Sequence, residues 1–142
     1  MARTKWLSSF NVGVQKIDDE HRLIIDVIRK VEDAIEDGRL GVCRGLIQDL
    51  EGQIRAHFQT EEAFLEKTGF SGLPGHRALH RALELEWEAL ESRCKRCETG
   101  EKQMRADSCI NNLRSFILTD ILEGDLQFKS HAQEVGGGRF DG

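Results

Sequence analysis

Four stretches of the chain repeat apolar residues every three or four positions, the spacing that lays one face of an α-helix against a core. In the first, the inward positions read Ile17, His21, Ile24, Ile28, Val31 and Ile35, and the stretch stops at Asp37-Gly38, a helix-stop signal. In the second they read Leu46, Leu50, Ile54, His57 and Glu61, with Phe64 or Leu65 next. "GFSGLPG" (Gly69 to Gly75) breaks the pattern and holds the chain's one proline. The third reads Leu73, His76, His80, Leu83, Trp87, Leu90, Cys94 and Cys97, and a polar turn at Thr99-Gly100 follows. The fourth reads Ala106, Ile110, Leu113, Ile117 and Asp120, then shifts to Asp125 where Gly124 ends or kinks the helix.

Four helices on short connections predict an all-α fold, an up-down-up-down four-helix bundle. Residues 1 to about 16 read as an N-terminal arm whose Trp6 and Phe10 cover an end or side of the bundle. The bundle domain is expected over residues 1–133. The remainder, 134–142, contains "EVGGGRFDG" and reads as a flexible glycine-rich tail, either a frayed end or a linker.

Composition narrows the function. The 142 residues suit one domain with a real core, and 39% hydrophobic against 32% charged residues, with no tyrosine, favours helices over a strand sandwich. A net charge of −5 with scattered basic residues speaks against nucleic acid as a partner. No apolar run approaches the roughly 18 residues of a membrane span, and "MARTKWLSSF" has no apolar signal core, so no membrane association and a cytoplasmic location are expected. Cys94 and Cys97 form a CxxC pair, but Cys43 and Cys109 supply no second close pair for zinc, so the cysteines read as inert core.

The inward stripes are not purely apolar. His21, His57, Glu61, His76, His80 and Asp120 all fall on them, and Asp125 lies one turn past Asp120. All four helices contribute. One histidine in a helix seam is more often a hydrogen-bonded core residue than a ligand. Four histidines with three carboxylates in one interior are another matter. A lone buried carboxylate costs several kcal/mol even after relaxation, and no lysine or arginine lies on these stripes near the ligand positions. A pair of multivalent metal ions would compensate the charge and use the imidazole lone pairs. Seven side chains exceed the four of one zinc, and carboxylates added to imidazoles favour iron or manganese. The i,i+4 spacing and the weight of histidine differ from the Glu-x-x-His of ferritin-like di-iron bundles.

Taken together, the motifs resemble the bacterial hemerythrins, from Trp6 to about His131. The family's opening pattern is matched by "WLSSFNVGVQKIDDEH", its H-x-x-x-E by His57 and Glu61, and its H-x-x-x-H by His76 and His80. The final H-x-x-x-x-D reads "DILEGD", with Asp120 in the histidine's place, and the family's pocket tryptophan is replaced by Phe116. The resemblance implies two non-haem iron ions (Fe2+/Fe3+) with a bridging oxo or hydroxo group, and dioxygen bound end-on at one of them. It implies that His21 and His57 hold the iron with the open position, that His76 and His80 hold the other, and that Glu61 and Asp125 bridge. The family's third histidine on the second iron falls at Asp120. An aspartate there adds a negative charge, favours ferric iron and works against reversible carriage; if it does not reach, a second position opens. Glu123 and His131 are the nearest substitutes. Ile24, Phe58 and Ile117 lie at the ligand levels and would wall the dioxygen pocket, or serve as plain core.

Three readings follow. The first is a dioxygen-binding carrier, store or sensor. The second is a di-iron redox enzyme, an oxidase, peroxidase or nitric oxide reductase, acting on a diatomic or peroxide. The third is a module whose metal chemistry feeds a downstream signalling or redox partner.

Overall fold

The computed structural model describes residues 7–95 and 103–136. A 3-10 turn (Ser8–Phe10) leads into α1 (Gln15–Glu36), α2 (Leu40–Lys67), α3 (Leu73–Lys95) and α4 (Gln103–Thr119). A π turn (Asp120–Gly124), a 3-10 turn (Asp125–Phe128) and a short α5 (Lys129–Glu134) follow. The described residues form no strand. Each of the four long helices packs on the next, and α4 closes the ring on α1, the bundle that the periodicity predicts. Among the described residues, no helix is long and apolar enough to cross a membrane. Trp6, the Thr99-Gly100 turn and residues 137–142 lie outside the described residues, as do the side chains of Cys94, Cys97 and Ala106.

The helix ends follow local chemistry. Gly38 adopts φ 73°, its N–H donates to Ile35 O at 3.1 Å, and Arg39 N–H donates to Ala34 O at 2.7 Å. Gly69 repeats the arrangement at φ 73°, with Phe70 N–H reaching Leu65 O at 2.9 Å. Both are Schellman ends, in which a glycine takes the left-handed position that a Cβ disfavours. Pro74 falls in the first turn of α3, where its missing N–H removes no helical bond. At the other end, the buried Asp18 carboxylate accepts from Val12 N–H at 2.8 Å and Gly13 N–H at 3.2 Å, tying the arm to α1.

The core divides into two apolar clusters. The larger holds Phe10 from the arm with Ile24, Ile54, Leu83, Ile117 and Ile121. The smaller holds Val12, Val14, Ile17, Phe64, Leu65, Leu73 and Phe128. Along each helix the polar inward residues fall between them: Ile17–His21–Ile24 on α1, Ile54–His57–Glu61–Phe64 on α2, Leu73–His76–His80–Leu83 on α3. The bundle therefore encloses one polar layer between two dry ones, shielded from bulk water on both sides. Cys43 and Cys109 are buried in the core as expected, but Cys109 is disulfide-bonded, which the plain-core reading did not anticipate. Pairing depends on Cα separations below about 7 Å, which spacing along the chain does not reveal.

Candidate metal centre

The polar layer is assembled by helical repeat. On α2 and α3, His57/Glu61 and His76/His80 each stand four residues apart, one turn up the same face. His21 enters from α1. Asp120 and Asp125 come from the widened turn at the end of α4, where the Asp125 N–H donates to the Asp120 carbonyl, the i→i+5 bond of a π turn. A regular α-helix would aim side chains five apart in different directions; the extra residue in the turn brings both inward. His21, His57, Glu61, His80, Asp120 and Asp125 are fully buried, and His76 is 6% exposed.

Two overlapping ligand sets result. One donor atom from each of His21, His57, Glu61, Asp120 and Asp125 lies within 4.8 Å of the others, and the same holds for Glu61, His76, His80 and Asp125. Glu61 and Asp125 belong to both. Glu61 Oε2 is 2.7 Å from His57 Nε2 while its Oε1 is 2.9 Å from His80 Nε2 and 3.1 Å from His76 Nε2. Asp125 Oδ2 lies 2.5 Å from His21 Nε2 and its Oδ1 3.4 Å from His76 Nε2. Each carboxylate thus presents one oxygen to each pair of imidazoles.

Asp120 departs from the place the family pattern implies. That pattern assigns the position to the His76/His80 ion. Here Oδ2 lies 3.4 Å from His57 Nε2 and 3.7 Å from His21 Nε2, and Oδ1 lies 3.6 Å from His80 Nε2. Aspartate is shorter than histidine, so its head stops between the two sets. The substitutes do not join them. Glu123 is exposed, and His131 Nε2 is 2.8 Å from Thr68 Oγ1, with its ring 5.0 Å from Phe70.

The electrostatics show a layer short of positive charge. Burial and the neighbouring His57 lower the His21 pKa, but the Asp125 and Asp120 carboxylates beside it outweigh them and hold it well above the usual imidazole value. His57 is raised likewise: burial opposes, Glu61 and the aspartates prevail. For His80, burial is overcome by the neighbouring Asp120 and Glu61 carboxylates, and the pKa is pushed up to about 10. Burial raises Glu61, yet His57 and further hydrogen bonds bring it well below the carboxylate range. Asp125 goes the other way, raised by burial and by repulsion from Asp120 and Glu61. Protons here do what cations would do.

The donors fit such cations. His57 Nε2, Glu61 Oε2 and both oxygens of Asp120 and of Asp125 are buried without a hydrogen bond of good geometry, although close N···O pairs surround them. Donor atoms of imidazoles and carboxylates converging in one buried layer suit a multivalent metal ion.

Two residues that the stripes did not single out complete the layer. Glu20 Oε1 lies 3.0 Å from His57 Nδ1 and its Oε2 accepts from Thr60 Oγ1 at 2.9 Å; Glu62 Oε2 lies 2.8 Å from His80 Nδ1 and accepts from Arg81. A carboxylate on Nδ1 fixes the tautomer that leaves Nε2 free to ligate. Each adjoins a ligand in sequence, Glu20 before His21 and Glu62 after Glu61, but on a half-exposed flank it reads as an ordinary surface acid. Of the expected pocket wall, Ile24, Phe58 and Ile117 are all buried in the larger apolar cluster. Phe58 stacks on His80 at 3.9 Å between ring centroids and lies 6.2 Å from His57, touching both sets. Phe116 packs edge-to-face on Trp87.

The family profile described as "Hemerythrin HHE cation binding domain" matches residues 12–126. Similar proteins include a bacteriohemerythrin of Pseudomonas aeruginosa (strain LESB58), 29% identical over 80 residues, 56% of this chain and 52% of that protein. A bacteriohemerythrin of Methylococcus capsulatus is 27% identical over 109 residues, 76% of this chain and 81% of its own. A myohemerythrin of Riftia pachyptila is 33% identical over 75 residues, 53% and 58% respectively. The match spans about half the length of the Pseudomonas relative.

Proposed function

This chain belongs to the hemerythrin family of HHE cation-binding domains, and from that premise we propose that it is a non-haem di-iron protein that binds dioxygen, with sensing or redox character rather than simple carriage. The observation that carries the reading is the sharing of Glu61 and Asp125 between two histidine pairs. A pair of ferrous ions would supply the electrons with which dioxygen is held. In this reading His21 and His57 hold one ion, His76 and His80 the other, and Glu61 and Asp125 span them. Glu20 and Glu62 orient His57 and His80. Ile24, Phe58 and Ile117 keep water and protons away from the layer, which slows loss of the bound gas.

Asp120 favours a second reading, a di-iron redox enzyme such as an oxidase, peroxidase or nitric oxide reductase. Where the family has a third imidazole for the His76/His80 ion, this chain has an anion centred between the sets. The added charge favours ferric iron and leaves that ion with fewer protein donors.

One experiment separates them. The metal-free protein is loaded with ferrous iron without air, the metal is counted, oxygen is added, and the visible spectrum is followed while oxygen is removed. Two irons and a band that comes and goes with oxygen support dioxygen binding. Prompt, permanent conversion to a ferric spectrum supports the redox enzyme. A chain that holds no iron refutes both.

A further inference from the structure

The two ligand sets differ in how they meet the outside. The side chains of His21, His57 and His80 are 0% exposed, whereas that of His76 is 4% exposed. His76 lines a cavity of about 400 Å³, together with Phe70, Leu79, Glu123, Gly124 and Gln127. Glycines thin its walls. A Cβ on Gly124 would stand 2.7 Å from Leu79 Cδ2, 3.5 Å from His76 Cε1 and 3.9 Å from Asp120 Oδ1. Gly124 thus lies against two residues of the polar layer, His76 and Asp120. Gly75, which also lines the cavity, has nothing within 4 Å of the place its Cβ would take.

Each pair holds one ring by a carboxylate on Nδ1, His57 by Glu20 and His80 by Glu62, while the carboxylate contacts of His21 and His76 are made through Nε2. Of these last two rings, His76 is the one that faces the cavity. An imidazole without that support turns more easily and binds metal less firmly. The exposed Glu123 carboxylate at the mouth gives a divalent cation its first negative contact.

We infer that this cavity is the route by which divalent metal ions reach and leave the His76/His80 subsite, with Glu123 collecting the ion and His76 swinging to admit it, so that this subsite exchanges its metal faster than the His21/His57 subsite. The inference rests on the dimetal reading above and deepens it: one ion is resident, the other exchangeable.

The test follows cobalt(II) uptake by the metal-free full chain in stopped flow, reading its visible absorption, with His76→Ala identifying the phase that belongs to the His76/His80 subsite. Gly75→Leu adds a bulky side chain at the cavity lining, and its Cβ meets no existing atom. Glu123→Gln removes the charge at the mouth and stays on the surface, so it carries the test if Gly75→Leu fails to fold. Glu123→Gln slows the identified phase by about tenfold, the low end of electrostatic effects on association, and Gly75→Leu slows it at least as much. The other phase is unchanged, and chelator removes the exchangeable ion first. Two equivalents taken up at one common rate, or an identified phase that neither variant slows, overturns the inference and leaves the dimetal reading standing. A wild-type chain that takes up a single equivalent overturns the dimetal reading and this inference with it.

Discussion

Asp120 and Asp125 stand five residues apart and both are fully buried, because the Asp125 N–H donates to the Asp120 carbonyl across a widened turn. The turn makes a helix deliver two carboxylates into one layer at a spacing that an ordinary α-helix would send apart. It also sets Asp120 between the two histidine pairs, so that this difference from the family pattern bears on both.

Replacing that aspartate by the family's residue is therefore informative. In Asp120→His the negative charge is removed and an imidazole reaches toward the His76/His80 pair. The iron-loaded variant loses reversible oxygen binding more slowly than the wild type, by roughly tenfold, which needs only about 1.4 kcal/mol of barrier. The measurement is the decay of the oxygen-dependent absorption under air. An unchanged decay shows that Asp120 does not tune the irons.

Glu20 supports the first subsite from behind. Glu20→Ala strips the acceptor from His57 Nδ1 and leaves Thr60 Oγ1 its bond to the Ala56 carbonyl. Metal affinity at the His21/His57 subsite falls by about 10–100-fold, the usual effect of removing such a support. Competition against a chromophoric chelator reads it, and circular dichroism of the metal-free variant confirms an intact fold. Equal affinity in variant and wild type would mean that the contact does not hold the ring.

What the sequence displayed was whatever repeats with the helix. Ile17, His21 and Ile24 share a stripe, and so do Ile54, His57 and Glu61, because four-residue spacing is one α-helical turn. The bundle and the convergence of the seven polar side chains followed from that. The π turn did not, since five-residue spacing from Asp120 to Asp125 reads as the end or kink of a helix; nor did α5 beyond it. Glu20 and Glu62 were illegible for another reason. Their role comes from histidines 37 and 18 residues away, and their own helix flank is half wet. The place of Asp120 between the sets depends on side-chain length inside a finished interior, which no spacing encodes.

The metal-free protein has an unusual pH profile. His80 titrates near 10 when folded and near 6.5 when unfolded, so the folded chain binds more protons between these values. That contribution is fully present below about pH 6.5 and is lost as pH rises through 10; the raised His21 and His57 act in the same direction. Glu61, lowered on folding, contributes above its unfolded pKa and loses that contribution in acid. Urea midpoints of the metal-free protein therefore fall steadily from pH 6.5 to 10. Midpoints that rise over this range would contradict the protonated layer.

Metal reverses that dependence, because ligation needs imidazoles free of the extra proton and ionised carboxylates. Loading the protein near pH 7 releases protons, detectable with an indicator dye in weak buffer, and affinity increases with pH. The loaded fold is also the more stable. Free metal at 100 times its dissociation constant adds about 2.7 kcal/mol per site. For a chain of this size each kcal/mol raises the midpoint by roughly 2–4 °C, so one occupied site raises it by about 5–10 °C. Stripping the metal with a strong chelator removes the gain, and adding it back restores it. A melting temperature indifferent to metal, with no proton release on loading, would show that the buried histidine–carboxylate layer is held by protons alone.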